Sequence, residues 1–341
     1  MFVLRDVQKT DLDELLRVAE PLNSVNLPHN AEALEEIVDK SVRSFTGKIK
    51  EPFEREYLFV LEDTRNKRLV GSSMIIAQHG TREAPHIYLD VSTREHYSQS
   101  LDKHFKHQLL TMGFNYDGPT EIGGLVVLPS YRGHDKPGKQ LSFVRFLFMA
   151  MHRKLFRDRV LAELLPPLMP DGRSILWESF GRKFTGLDYQ SADKLSRQSK
   201  EFIQALWPQT DVYATFFPDK VRNTIGKVGP ETEPVKRMLE QIGFRYTERI
   251  DPFDGGPHFE AETKEITLIQ RYRRAKVAEE KLERQTEDYL VGIERGAGKS
   301  RFRAVRTACV LVDDMVQLPA TTIEALDVQP GDRVHVIPFD A

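Results

Sequence analysis

Between Leu125 and Met149 an unbroken apolar run gives way to a loop rich in glycine and lysine, and then to a stretch with helical apolar spacing. Leu125-Val126-Val127-Leu128 predicts a strand. Pro129 to Lys139 predicts a turn. Phe143, Phe146, Leu147 and Met149 recur as a helical face. The order strand, loop, helix commits the chain to a fold that mixes both element types. It is also a physical device for anions. Backbone N–H groups at a helix start have no intrahelical partner, and the helix dipole favours negative charge there. Gly133 and Gly138 carry no Cβ, which lets a phosphate approach the main chain. Arg132, Lys136 and Lys139 add positive charge.

The chain has 341 residues, long for one compact domain, and its 40% apolar and 29% charged residues are ordinary for a soluble globular protein. A net charge of −2 gives no global argument for nucleic-acid binding. No apolar run is long enough to span a membrane, and Met1-Phe2-Val3-Leu4-Arg5-Asp6 lacks the form of a signal peptide. Cys309 is the single cysteine, so no internal disulfide forms. Its setting, Ala308-Cys309-Val310-Leu311-Val312, reads as a small buried hydrophobe rather than a nucleophile. No Cys/His set has zinc spacing, and no metal site is expected. The expectation is a cytoplasmic protein with neither a nucleic-acid nor a membrane partner.

Phe2 to Leu4 predicts a strand, and Asp11 a cap for a helix carrying Leu12, Leu15, Leu16 and Val18-Ala19. Asn23 to Asn30 predicts a polar turn, and Ala31 to Phe45 an amphipathic helix. Tyr57 to Glu62 and Leu69 to Ala77 predict paired strands across an Asp63–Lys67 turn. Ile87-Tyr88-Leu89 predicts a strand and Leu101 to Leu110 a helix. The helix after the glycine loop runs to about Phe156. Arg159 to Leu165 predicts a strand broken by Pro166-Pro167. Helices follow at Ser174–Phe184, Ala192–Leu206 and Val235–Ile242, the last stopped by Gly243 before a strand at Phe244-Arg245-Tyr246. Glu265 to Tyr272 predicts a strand, Lys276 to Val291 a charged, solvated helix, and Gly292 to Ser300 a linker. Arg303–Val312, Gln317-Leu318 and Arg333–Pro338 predict a small barrel or hairpin module, with a helix at Thr321–Leu326 and a turn at Pro330-Gly331-Asp332.

The glycine loop is not a P-loop, because Gly138-Lys139 is followed by Gln140 rather than Ser or Thr, and its glycines do not have dinucleotide-fold spacing. It resembles the acyl-CoA loop of the GNAT acyltransferase superfamily, Arg/Gln-x-x-Gly-x-Gly/Ala, placed between a strand and a long helix. The loop departs from that pattern by one added residue and by Lys136 where the first glycine is expected. A closer resemblance covers almost the whole chain. Trp177-Glu178-Ser179-Phe180-Gly181, Gly243-Phe244-Arg245-Tyr246, Ile250-Asp251-Pro252-Phe253-Asp254-Gly255-Gly256-Pro257 and Gly331-Asp332-Arg333-Val334 are similar to the arginine N-succinyltransferase family.

That resemblance implies a GNAT-like α/β (α+β) fold, with a mixed central sheet flanked by helices and a small C-terminal β module. It implies an acyl-CoA-binding domain over 1–190, a second half completing the acceptor site over 191–275, a charged helix and linker over 276–300, and the β module over 301–341. It implies transfer of succinyl from succinyl-CoA to the α-amine of arginine, with no permanently bound cofactor and with a homo-oligomer, or a hetero-oligomer with a paralogous subunit, as the assembly. Cofactor contacts are implied at Leu125, Val126, Val127, Arg132, Gly133, Lys136, Gly138 and Lys139, with a main-chain contact at Leu125. Another amine acceptor, or a silent CoA-binding homologue, are the alternatives.

Two departures touch the acceptor half. The family's proton-donating histidine, in Val-His-Pro, falls at Gly229, within Val228-Gly229-Pro230. The family's Ala-Glu-Met-Arg strand reads Ala162-Glu163-Leu164-Leu165. Direct transfer needs no protein nucleophile, only a base for the amine and donors for the carbonyl oxygen. Glu163 is the candidate base, or equally a strand-end ion pair. His258 can stand in for the missing histidine, or be a surface-loop residue. Asp251 and Asp254 can bind a guanidinium, or equally stabilise a turn. His134 is expected to meet phosphate or solvent, His104 and His107 to be solvated on a helix, and Arg145 to pair with a phosphate or a structural carboxylate.

Overall fold

The computed structural model describes residues 1–20, 27–82, 84–133, 135–196, 199–279, 285–296 and 301–340. His134, half of the turn expected over 23–30 and part of the linker expected over 292–300 lie outside them. The chain opens with β1 (Phe2–Asp6), α1 (Leu12–Ala19), α2 (Ala31–Phe45), β2 (Glu56–Asp63) and β3 (Arg68–Ile76). Next come β4 (His86–Ser98), β5 (Lys103–Asn115), β6 (Thr120–Val127), α3 (Pro137–Met151) and β7 (Arg159–Glu163). Short helices α4 (Ile175–Ser179), α5 (Gly181–Thr185), α6 (Tyr189–Ser196) and α7 (Glu201–Leu206) precede β8 (Val212–Tyr213), α8 (Asp219–Arg222) and α9 (Glu233–Gln241). A hairpin, β9 (Arg245–Ile250) and β10 (Pro257–Glu262), leads to α10 (Thr267–Gln270). The chain ends with β11 (Arg273–Val277), β12 (Glu287–Glu294), β13 (Phe302–Val312), β14 (Met315–Gln317), α11 (Ala320–Leu326) and β15 (Arg333–Pro338).

The chain divides into two units, the first comprising residues 1–78, 120–158 and 262–341, the second 79–119 and 159–261. In the first, β1, β2, β3 and β6 lie side by side. Both faces of β2 are covered, which is why Tyr57 to Leu61 reads as a continuous apolar run. Leu58 and Val60 pack with Leu15, Leu34 and Val38 of α1 and α2. Tyr57 and Phe59 meet Phe148 of α3. Helix α3 is buried on nearly every side, in keeping with its weak amphipathic pattern. Asn30 caps α2 by accepting from the Ala33 amide at 2.9 Å. Asp11 does not cap α1. Its carboxylate instead accepts from the Gln8 amide and from Arg5, each at 2.7 Å.

The C-terminal module is a closed barrel. Its strands follow the order β12-β15-β11-β14-β13, and β13 pairs back with β12. Strand β13 also pairs with β1 through Leu4 opposite Ala304. The helix expected over 276–291 is replaced by β11 and β12, with residues 280–284 outside the described set. Along β11 only Ala275 and Val277 are buried, so Arg274 and Lys276 are the outward face of a strand, and Arg273 is exposed at its start. The strand expected over 265–272 is a single helical turn that buries Ile266 and Leu268.

The strands of the second unit follow the order β7-β10-β9-β4-β5-β8. The helix expected over 101–110 is strand β5. It pairs with β4 through every residue from His86–Asn115 to Ser98–Lys103, and this ladder overrides local helix preference. The helix expected over 174–184 breaks at Phe180, whose φ of −126° and ψ of −74° are not helical, and the Trp177 ring fills the space where a Cβ on Gly181 would stand.

Candidate active site

In the first unit, β6 carries a bulge. Ser72 faces Val126 and Met74 faces Gly123, so Ser73 opposes both Gly124 and Leu125. Gly124 has a φ of +57°, and the Ser72 hydroxyl donates to its carbonyl at 3.1 Å. Leu125 and Val127 are partly exposed, whereas the Val126 side chain packs in the core with Leu58 and Met74. The Val126 side chain is therefore not offered to a ligand. The Arg145 guanidinium, expected to pair with an anion, is buried. It donates to the carbonyl and hydroxyl of Ser142, at 3.1 and 2.8 Å, and to the Gly123 carbonyl at 3.5 Å. It therefore ties α3 to the bulged strand.

The loop before α3 is strongly turned. Gly133, Asp135 and Lys136 all have positive φ, at 97°, 55° and 51°. Lys136 thus adopts the left-handed conformation that the family pattern assigns to glycine. Pro137 has no N–H, and the Gln140 amide already bonds to the Lys136 carbonyl, which leaves the Gly138 and Lys139 amides without an intrahelical partner. Arg132 donates to the Val127 carbonyl at 3.1 Å. Lys136 and Lys139 share Asp340, at 3.7 and 3.4 Å. Lys139 also lies over the rings of Phe143 and Phe339.

In the second unit, three side chains converge. Oε1 of Glu163, at the end of β7, lies 3.1 Å from Nε2 of His86 and 3.4 Å from Nε2 of His258. His86 opens β4 and His258 lies on β10. Both are buried, and Glu163 keeps a 26% exposed side chain. Strand β9 ends at Ile250, which pairs with Leu89, so it stops short of His86. The rings of His86 and His258 stack at 5.4 Å. His79 meets His86 edge-on at 4.4 Å. The surface-loop alternative for His258 is overturned: it is a buried strand residue. His104 and His107 lie on β5 rather than on a helix, and His107 bonds to Thr215 at 2.8 Å. Sequence reasoning missed His86, which lies 77 residues from Glu163 with no local spacing to mark it.

The loop joining β9 to β10 aims His258. Oδ1 of Asp251 accepts from the amides of Phe253 and Asp254, at 2.7 and 3.1 Å. Oδ1 of Asp254 accepts from Gly256 at 2.7 Å. The turn-stabilising alternative for this pair is therefore present in the structure. Phe253 stacks on Trp177 at 5.1 Å, which anchors the turn. Burial, then the charge of Glu163, push the Asp251 carboxyl up to about 7. Burial and Asp251 raise Asp254 well above the usual carboxylate range. The same carboxylates, after burial, raise the Tyr189 hydroxyl.

Residues 2–268 match the model of the arginine N-succinyltransferase beta subunit family, and residues 273–338 match that of its C-terminal domain. The chain belongs to the arginine N-succinyltransferase beta subunit family. An arginine N-succinyltransferase from Yersinia pestis is 32% identical, with 99% of this chain and 97% of that protein covered. One from Yersinia enterocolitica is 33% identical over the same shares. The solved structure of arginine/ornithine succinyltransferase subunit AI from Pseudomonas aeruginosa superposes with a TM-score of 0.84 at 30% identity, covering 100% of this chain and 99% of that one. The mixed helix-and-sheet fold and the C-terminal β module are those implied by the sequence.

Against the arginine N-succinyltransferase pattern, position 229 is informative. The Gly229 amide donates to the Leu165 carbonyl at 2.8 Å, and a Cβ there would lie 3.0 Å from the Pro166 carbonyl oxygen. The backbone leaves little room for the family's histidine at this place. Leu165, where the family has arginine, is exposed.

Proposed function

We propose that this chain transfers a succinyl group from succinyl-CoA to the α-amine of L-arginine, in a ternary complex and without a protein-bound intermediate. The observation that carries the reading is the meeting of two buried imidazoles on one oxygen of Glu163, in a chain matched to the family over nearly its full length.

The amine enters as an ammonium with a pKa of about 8 to 10, and attack on a thioester needs the neutral form. Glu163 accepts that proton. His258 and His86 orient the carboxylate and offer nitrogens to which the proton can pass. His258 thereby stands in for the imidazole absent at Gly229. As the C–N bond forms and the C–S bond breaks, CoA departs as a thiolate that needs little acid help. Asp251 and Asp254 offer carboxyl oxygens that can accept from the guanidinium. Their Oδ1 atoms are committed to the turn, which leaves their Oδ2 atoms for that role.

On the donor side, the bulge at Gly124-Leu125 presents main-chain groups to the pantetheine arm. The amides of Gly138 and Lys139, at the start of α3, face the pyrophosphate. Arg132, Gly133 and Lys136 form the turn that holds it. Succinyl-CoA is a co-substrate, not a resident group. Among the described residues no helix is long and apolar enough to cross a membrane, which accords with a cytoplasmic enzyme.

The test is thiol release from succinyl-CoA with L-arginine, L-ornithine and other amines. Ornithine is included because the Pseudomonas relative is described by both substrates. Release with arginine, lost in Glu163→Gln, is the expected result. No release with any amine, alongside tight CoA binding, would point to a silent homologue. Release only with another amine would move the acceptor.

A further inference from the structure

We propose that His86, Glu163 and His258 form a binding site for a first-row divalent cation, best matched by Zn2+, and that an ion held there shuts off acyl transfer. One ligand atom from each residue, an imidazole nitrogen of each histidine and a carboxylate oxygen of Glu163, lies within 4.8 Å of the others. Oε1 stands 3.1 and 3.4 Å from the two nitrogens. A tetrahedral zinc ion with ligands at about 2.0–2.1 Å sets its ligand atoms roughly 3.3 Å apart. Both carboxylate–imidazole separations are close to that edge. Two imidazoles and one carboxylate are a donor set that zinc takes, with a fourth position left for water or a ligand.

The setting supports an ion. The three residues come from three strands of one sheet, β4, β7 and β10, which fixes their spacing. Both histidines are at most 1% exposed, whereas Glu163 keeps a 26% exposed side chain and so leaves a path from solvent. Nothing in the family pattern quoted above supplies such a triad. The chain that lacks an imidazole at Gly229 has assembled two elsewhere.

The inhibitory half rests on the reading of Glu163 as the base. A carboxylate oxygen bound to zinc has given up the lone pair that would take the ammonium proton. Zinc therefore competes with the amine rather than with succinyl-CoA.

The experiment uses the full chain, stripped with a chelator. Zn2+ is titrated by calorimetry without substrates, and Co2+ serves as an optical reporter of tetrahedral coordination. The same titration is run on His86→Ala, His258→Ala and Glu163→Gln, with circular dichroism and melting curves to establish folding. His258→Asn replaces His258→Ala if the latter fails to fold. We expect one ion per chain, and an affinity loss in each variant of at least the roughly tenfold that losing a metal's outer-shell partner costs. Formation of succinylarginine, followed by mass spectrometry because released CoA thiol itself binds zinc, should fall with occupancy and recover with chelator. No stoichiometric binding, or equal binding in all three variants, overturns the site. Binding without inhibition overturns the shut-off. If Glu163→Gln abolishes ion binding but keeps turnover, the site stands and the base assignment falls. If it abolishes turnover in a chain that binds no ion, the converse holds.

Discussion

Gly256 passes so close to Leu164 that a Cβ at position 256 would stand 2.4 Å from the Leu164 carbonyl oxygen. Leu164 follows Glu163 in the chain, and Gly256 lies two residues before His258. The contact therefore sets the distance between the carboxylate and its imidazole. Gly256→Ala should destabilise the chain by about 1–3 kcal/mol through overpacking. It should also lower turnover at temperatures where the variant remains folded. Urea unfolding beside a thiol-release assay measures both, and full activity in a destabilised variant would separate the turn from the chemistry.

The paired carboxyls of Asp251 and Asp254 give the fold a distinctive response to pH. Burial, followed by the Glu163 charge, holds Asp251 protonated up to about 7, and Asp254 is raised by burial and by Asp251. A carboxyl whose folded pKa exceeds its unfolded value takes up a proton on folding. Its contribution is complete below the ordinary carboxylate range, near pH 4, and is lost as pH rises through about 7. Asp251→Asn keeps the side-chain oxygen that accepts from Phe253 and Asp254 but does not titrate. The stability difference between wild type and variant, from denaturant curves at pH 4 to 8, should move against the wild type as pH rises. A flat difference would show that Asp251 titrates normally.

Lys136 holds a left-handed conformation, at φ 51° and ψ 50°, directly before α3. That conformation costs a residue with a Cβ about 1–2 kcal/mol, of which glycine's greater unfolded freedom takes back about 0.5–1 kcal/mol, so Lys136→Gly should gain up to about 1 kcal/mol. Its salt bridge to Asp340 is exposed at both ends and offers little in opposition. The same substitution should raise the KM for succinyl-CoA if the lysine charge serves the donor. A more stable variant with a weaker donor site is the expected pair of results from melting curves and kinetics.

Cys309 is buried in the barrel, and burial, aided by the nearby Asp288 and Glu287, pushes its thiol up to about 12. A thiol reagent at pH 8 should leave the native chain unlabelled and mark one cysteine per chain in denaturant. Rapid labelling of the native chain would show that the barrel opens locally.

The elements legible in the sequence were those whose pattern is carried by their own residues. Tyr57 to Leu61 and the α3 stretch are apolar enough to announce themselves, and the turn Asp251-Pro252-Phe253-Asp254-Gly255-Gly256 shows its chemistry in its residue types. Strand β5 was not legible. His104, Lys106 and His107 have no strand bias of their own, Phe105 alone does not outweigh them, and pairing with β4 defines the strand. Lys276 misled for the opposite reason, because the charged outer face of a strand reads as a solvated helix. At the site, Glu163 and His258 stood out beside quoted motifs. His86 is placed by the end of β9 and the register of three strands, which no local spacing encodes.

The closure of the C-terminal barrel has a further consequence. A sheet that returns to its first strand offers no unpaired edge for a strand of another molecule to join. Strand β15 bonds to β11 on one side and to β12 on the other. A chain truncated before Arg333 would therefore bare two sticky margins at once, which makes the last strand a safeguard against self-association as much as a contributor to the fold.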